Sequence, residues 1–120
     1  MQNQYKNFSA LIIDDEEDIC MLLKMILKKH NMNVHVALNL AEGIKTTALV
    51  KPSVIFLDNN LPDGLGIENI EKIKAISTAS KIMMISAMSN LQEKAIANGA
   101  FMFIDKPLTS NKIREALDTL

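Results

Sequence analysis

Cysteine occurs once in these 120 residues, at Cys20. That excludes an internal disulfide and any metal cluster built on cysteine alone, and it fits a reducing compartment. An excess of one charge is also missing. Thirteen basic side chains stand against 14 acidic ones, for a net of −1, so no global field draws the chain to nucleic acid or to an anionic membrane. Long apolar runs are absent: the longest, such as Ile82–Ile85, extend for four or five residues, against the ~20 that span a bilayer. The polar opening from Met1 to Asn7 lacks the apolar stretch of a signal peptide. Four glycines are too few for a linker or a low-complexity tail. What remains is a chain that is 48% hydrophobic, at a length typical of one domain, about 100–150 residues. Such a chain buries an ordinary apolar core without staples. The expectation is a single cytoplasmic domain over residues 1–120, with residues 1–7 as a short polar extension. One local feature breaks the even balance: five of the acids form an unbroken run, Asp14-Asp15-Glu16-Glu17-Asp18.

Five short segments are apolar and rich in β-branched or long aliphatic residues: Phe8–Ile13, Val34–Val36, Ser53–Leu57, Lys81–Ile85 and Phe101–Ile104. The first, third and fourth are almost continuously apolar, as expected of parallel strands covered on both faces, whereas Val34-His35-Val36 alternates and suits an edge. Helical patterns separate them. Between Asp15 and Asn31 the residues Ile19, Leu22, Leu23, Ile26 and Leu27 form one stripe. The acidic first turn and the basic last turn, Lys28-Lys29-His30, complement the helix dipole. A second helix is predicted from Ala41 to Val50, capped by Asn39 and stopped before Pro52, and a third over Ile67–Ile76. A fourth opens with Ser89 and Gln92 as a capping box and closes at Gly99. The fifth follows Thr109 or Ser110, with Ile113 and Leu117 on one side. Strict alternation of strand and helix implies a parallel sheet with helices on both faces, and such sheets bind ligands at the carboxyl ends of their strands.

The residues at those ends form a set. Asp14-Asp15 follows the first strand, Asp58 ends the third, Ser86 ends the fourth, and Asp105-Lys106-Pro107 follows the fifth. Crowded carboxylates repel one another unless a cation intervenes. Mg²⁺ prefers oxygen ligands and leaves positions for phosphate oxygens. Beside it a carboxylate can act as a nucleophile toward a phosphoryl group, with a lysine and a hydroxyl to stabilise the phosphoryl oxygens. Any one of these residues alone would be read as a turn or cap residue; the conjunction at four strand ends carries the argument. Glu16, Glu17 and Asp18 are expected to serve only the helix dipole.

Leu11-Ile-Ile-Asp-Asp15, Val54-Ile-Phe-Leu-Asp58 with Asn59-Asn60-Leu61-Pro62-Asp63-Gly64-Leu65-Gly66, Ile85-Ser86-Ala87, and Gly99-Ala100 leading to Phe101–Pro107 stand in an order and spacing that resembles the receiver domain of two-component response regulators. The resemblance covers Leu11 to Leu120. It implies a flavodoxin-like, doubly wound α/β fold: a five-stranded parallel sheet of order 2-1-3-4-5 with five helices. It implies that Asp58 is the phosphoacceptor and that Asp14, Asp15, Asp58 and the backbone carbonyl of Asn60 hold Mg²⁺. Ser86 and Lys106 would act on the phosphoryl group, with small Ala87 leaving it room to enter. Phe103 would be the switch aromatic, partnered with Ser86, and Pro107 the proline after the lysine, often in a cis bond. The implied activity is a signalling switch, not a turnover enzyme: a phosphoryl group passes from a sensor histidine kinase or a His phosphotransfer protein to Asp58 and repacks the face made by the fourth helix, fifth strand and fifth helix. An effector protein, or an output domain absent from this chain, would read that face, and the resemblance also admits a phosphorylation-linked dimer. No direct contact with nucleic acid or membrane is implied.

Two rivals belong beside it. A haloacid-dehalogenase-like phosphatase shares the strand-end Asp, hydroxyl, Lys and acidic pair, but needs a second acid two residues past the nucleophile, where Asn60 stands. A non-phosphorylated receiver-like interaction module would lack one of the acceptor, the acidic pair or the lysine; all are present. Met88 occupies an often polar position that, with Asn60, flanks the path of the hydrolytic water in the family. Met88→Glu and Met88→Ala are therefore expected to change the half-life of the phosphorylated form, as followed by loss of label; an unchanged half-life in both would dismiss this role.

Overall fold

A computed structural model describes residues 8–120; the polar extension at residues 1–7 lies outside the described residues. The apolar segments become β1 (Ser9–Ile13), β2 (Asn33–Ala37), β3 (Val54–Asp58), β4 (Lys81–Ser86) and β5 (Met102–Asp105). All pair in parallel, in the order β2-β1-β3-β4-β5. The expected doubly wound α/β sheet is therefore present. The chain runs outward from β1 to β2 and then returns to the other side of β1 for β3, so the switch point lies between β1 and β3, at the centre of the sheet.

The continuously apolar strands are the central ones. Every residue of β3 is buried, and β1 and β4 are buried beyond their first residue. Alternate side chains serve two separate cores. Ala10, Ile12, Val54, Phe56, Met83 and Ile85 pack with Leu23 and Leu27 of α1 (Glu17–Lys29) and with Ile113 and Leu117 of α5 (Ser110–Leu117). Leu11, Ile13, Ile55, Leu57, Ile82 and Met84 face α2 (Leu40–Val50), α3 (Ile70–Ile76) and α4 (Gln92–Ala97), with Leu40, Ile70, Ile73 and Ala95 as their partners. A strand buried on both faces has no solvent side to carry polar residues, which is why periodicity vanishes from these three segments.

Several helix ends agree with the sequence reading. Asn39 caps α2 by accepting from the Glu42 backbone N–H at 2.8 Å, and Thr109 caps α5 through the Lys112 N–H at 3.2 Å. The fourth helix differs. Ser89 lies inside a 3-10 turn, Ser89–Leu91, and no side chain caps either that turn or α4, so the capping box does not form. The third helix is also shorter than expected. A 3-10 turn over Gly66–Glu68 precedes it, and the Asn59 side chain accepts from the Ile67 N–H in that turn at 3.0 Å. A two-stranded hairpin, Asn60–Leu61 against Gly64–Leu65, was not anticipated; the Pro62-Asp63-Gly64 turn closes it. Among the described residues, no helix is long and apolar enough to cross a membrane.

Two glycines let backbone approach backbone or core. A Cβ on Gly66 would lie on the Asp58 carbonyl oxygen, so the segment after β3 can fold back beside the strand end only with glycine there. A Cβ on Gly43 would meet Ile13 Cδ1 at 2.5 Å and Cγ1 at 2.9 Å, so α2 sits directly on β1. Alanine at position 43 gains about 1 kcal/mol of helix propensity but meets an overpacking cost of roughly 1–3 kcal/mol. Gly43→Ala is expected to lower stability by ~1 kcal/mol in urea denaturation; a rise in the midpoint would show that Ile13 yields freely.

Candidate functional site

The parallel register carries four side chains to one rim. Asp14 follows β1, and its N–H donates to the Ala37 carbonyl at 3.0 Å, extending the ladder by one residue. Asp58 is the last residue of β3, opposite Ile85. Ser86 ends β4 opposite Asp105 of β5, and the Lys106 N–H donates to the Ser86 carbonyl at 3.0 Å. Asp14 and Asp58 are each 1% exposed and Ser86 2%. The Lys106 ammonium lies 2.9 Å from Asp58 Oδ1 and equally 2.9 Å from Glu16 Oε1. The Lys106–Pro107 peptide is cis.

Burial dominates the electrostatics. It raises the Asp14 carboxyl from 3.8 to about 6; the Glu16 N–H opposes the shift and the neighbouring Asp58 charge adds to it. Asp58 is also raised, by burial first, with Lys106 pulling the other way. Lys106 loses solvation, which alone would lower its pKa, but its bonds to Asp58 and Glu16 outweigh that and raise it. Cys20, whose thiol donates to the Asp14 carbonyl at 3.3 Å, is pushed up to about 11 by burial and by Asp14. It is a packed thiol and not a reactive one.

The carboxylates are under-satisfied. Asp14 Oδ1 accepts from the Glu16 N–H at 2.8 Å, but Asp14 Oδ2 and both Asp58 oxygens have no hydrogen-bond partner. Lys106 meets Asp58 Oδ1 as an ion pair at 2.9 Å. Buried acceptors without donors are costly. Asp14, Glu16 and Asp58 each offer an oxygen within 4.8 Å of the others. Three converging oxygens, most of them unclaimed by protein donors, fit a hard divalent cation such as Mg²⁺.

The other expected residues occupy varied positions around this cluster. Asp15 is exposed at the start of the turn into α1 and lies outside the three-carboxylate group. Asn60 is exposed, in the hairpin opposite Leu65. Ser86 Oγ accepts from the Met88 N–H at 3.0 Å, and Ala87 is exposed beside it. Phe103 is half-buried against the core beneath α2, α3 and α4, and Pro107 is exposed. Glu16 corrects the sequence reading. It occupies the N-cap position of α1 yet makes no side-chain capping bond, and its carboxylate reaches Lys106 instead. Asp63 was read only as part of a motif. Its two oxygens accept from the Leu40 and Ala41 N–H groups at 2.8 and 3.0 Å, which lowers its pKa and ties the hairpin to the start of α2. The run Pro62-Asp63-Gly64 signals a turn, but no local signal marks a cap supplied from more than 20 residues away.

The response regulator receiver domain family model matches residues 10–118. The chain belongs to that family. It is 34% identical over 111 residues to chemotaxis protein CheY of Listeria monocytogenes, covering 90% of this chain and 93% of CheY. It is 32% identical to response regulator protein PilR of Pseudomonas aeruginosa over 92% of this chain, but spans only 25% of PilR. For the KDP operon regulator KdpE of Escherichia coli the identity is 34%, across 91% of this chain and 49% of KdpE. The chain thus spans nearly all of some curated relatives and a quarter to a half of others. Among solved structures, a beryllofluoride-activated NtrC4 receiver domain dimer is 31% identical, with a TM-score of 0.85 over 92% of this chain and 93% of that one. The fold is also shared with CheY from a CheX–CheY complex of Borrelia burgdorferi, at a TM-score of 0.90 and 23% identity, covering 99% and 97% of the two chains. Receiver domains are signalling switches and not turnover enzymes; as a family they interact with histidine kinases and output domains.

The raised Asp14 pKa has a stability consequence. Between pH 3.8 and about 6 the folded state binds more protons at Asp14 than the unfolded chain does. Stability therefore falls as pH rises through that window, by about 2–3 kcal/mol from this group. Metal-free protein is expected to show a falling urea midpoint from pH 4 to pH 7 that flattens in Asp14→Asn. An equally steep fall in the variant would assign the dependence elsewhere.

Proposed function

We propose that this receiver domain is a phosphoacceptor switch in which Asp58 receives a phosphoryl group from the phosphohistidine of a sensor histidine kinase or a His phosphotransfer protein. The observation that carries the reading is the buried Asp58 carboxylate: it ends a central strand and faces the Lys106 ammonium at one oxygen, while the other oxygen has no donor. A carboxylate that is poorly solvated and keeps one oxygen free of donors retains nucleophilic lone pairs there. One Asp58 oxygen forms the new bond to phosphorus, the donor's N–P bond breaks, and the electron pair leaves with the imidazole.

Lys106 stands beside Asp58 to offset the negative charge of the incoming phosphoryl oxygens, and it needs no reorganisation to do so. The Ser86 hydroxyl, anchored at the end of β4, would donate to one of those oxygens once it turns from the Met88 N–H. Asp14, Asp15, Asp58 and the Asn60 carbonyl would hold Mg²⁺, which supplies charge neutralisation for the transferred group. Positioning and electrostatics thus account for the step, as phosphoryl transfer generally requires.

The output would be a shift between two packings, with Ser86 and Phe103 as the moving pair and the surface of α4, β5 and α5 as the readout. Half-burial of Phe103 on edge strand β5 supports this, since it can move without opening the central core. Downstream partners would be an effector protein or an output domain, in the cytoplasm, and a phosphorylation-linked dimer is one form that such a readout takes.

Incubation with Mg²⁺ and acetyl phosphate, followed by intact-mass measurement, tests the proposal. The expected result is a gain of one phosphate that disappears in Asp58→Asn and falls at least tenfold in Lys106→Ala, as loss of a transition-state charge contact implies. Persistence of the gain in Asp58→Asn would mean that another residue is the acceptor.

A further inference from the structure

We propose that Glu16 is a positioning residue for the phosphoryl site: it holds the Lys106 ammonium at the mouth of the site, so that the lysine does not close over the oxygens of Asp58. Three observations converge on it. The ammonium is shared evenly, 2.9 Å from Glu16 Oε1 and 2.9 Å from Asp58 Oδ1. The two carboxylates differ in depth, since the Asp58 side chain is 1% exposed and that of Glu16 56%. Glu16 therefore pulls the ammonium outward, against the inward pull of Asp58. Finally, Glu16 stands at the N-cap of α1, where side chains ordinarily bond the helix N–H groups, yet its carboxylate makes no such bond. Its backbone remains part of the frame: the Glu16 N–H holds Asp14 Oδ1 at 2.8 Å, and its carbonyl accepts the first helical bond, from Cys20. A residue fixed at both backbone groups gives the side chain a rigid base from which to hold a lysine 90 positions away.

Without Glu16, Asp58 is the only carboxylate in the structure paired with Lys106 among the described residues. The ammonium then settles on Asp58 as a closed one-to-one pair. The oxygen that should attack phosphorus becomes covered, and the lysine no longer waits where phosphoryl oxygens arrive. Glutamine at position 16 offers an amide oxygen that can still accept from the ammonium, whereas alanine offers nothing. Both substitutions remove the same negative charge. Their difference therefore separates the holding of Lys106 from any general effect of charge on an anionic donor, and saturating Mg²⁺ removes the contribution that an oxygen at position 16 makes to metal affinity.

The kinetic half of this inference rests on Asp58 being the acceptor; the pairing half does not. Glu16→Gln and Glu16→Ala are compared with the unaltered chain at saturating Mg²⁺ and a fixed concentration of acetyl phosphate, by intact mass against time. The same proteins, ¹⁵N-labelled, are examined by NMR for the Lys106 side-chain ammonium resonance. Glu16→Gln is expected to take up phosphate about three- to fivefold faster than Glu16→Ala, the scale of a partly exposed charged contact. The ammonium resonance should stand at a similar shift in the unaltered chain and in Glu16→Gln, and be displaced in Glu16→Ala as the ammonium moves onto the buried Asp58 carboxylate. Equal rates for the two variants, or an ammonium signal unaffected by alanine, would overturn the proposal. Failure of the unaltered chain to gain phosphate would instead refute the phosphoacceptor reading, and the resonance would still decide whether Glu16 holds Lys106.

Discussion

The organisation of this domain depends on one unfavourable fact: two carboxylates, Asp14 and Asp58, are buried beside each other with a single lysine for compensation. Removing a carboxylate from water costs several kcal/mol unless donors or cations replace the lost solvation. Here Asp14 Oδ2 and Asp58 Oδ2 have no hydrogen-bond donor, and Asp58 Oδ1 has the Lys106 ammonium. The arrangement is stable only because the surrounding sheet over-determines it. Residues on both sides of β1 and β3 are packed into two cores, and the acids cannot swing to solvent without disrupting strand ends. A site held under-solvated in this way has free energy available to any ligand that brings positive charge.

The scaffold delivers the remaining groups by register. Parallel pairing sets Ser86 opposite Asp105, so the residue after β5, Lys106, is tied by its N–H to Ser86 and delivered to the rim. On the other side the segment after Asp58 turns back on itself: Gly66 N–H returns to the Asn59 carbonyl at 2.8 Å, and the Asn59 side chain holds Ile67. Asp63 ties the tip of that segment to α2. The loop that carries Asn60 is thus fastened at its base and at its tip, while Asn60 itself stays exposed.

Much of the fold was legible because its physics is local. Ala10–Ile13, Val54–Leu57 and Ile82–Ile85 lack any polar alternation because they have no solvent face, and caps at Asn39 and Thr109 need only the residues that follow them. The capping box at Ser89 failed for the complementary reason. Its Ser and Gln have the right spacing, but the chain leaves β4 through a 3-10 turn, and α4 begins only at Gln92. The site was legible in its strand-end residues, Asp14, Asp58, Ser86 and Lys106, because strand order alone carries them to one rim. Glu16 was legible only as an acid at a helix start, since its sequence neighbours are acids too and its partner Lys106 is 90 residues distant.

The acidic run that breaks the chain's near-neutral balance shows where each level decides. Sequence by itself determined that acids would stand after the first and third strands and a lysine after the fifth, because hydrophobic runs dictate strands and parallel order dictates which ends meet. Tertiary structure alone decided how the run divides. Asp14 turns inward and loses its water, Asp15 remains exposed, and Glu16 leaves its own helix to share Lys106 with Asp58. Consecutive residues of one charge are indistinguishable until packing gives each a different solvation and a different partner, and both depend on groups far away in the chain.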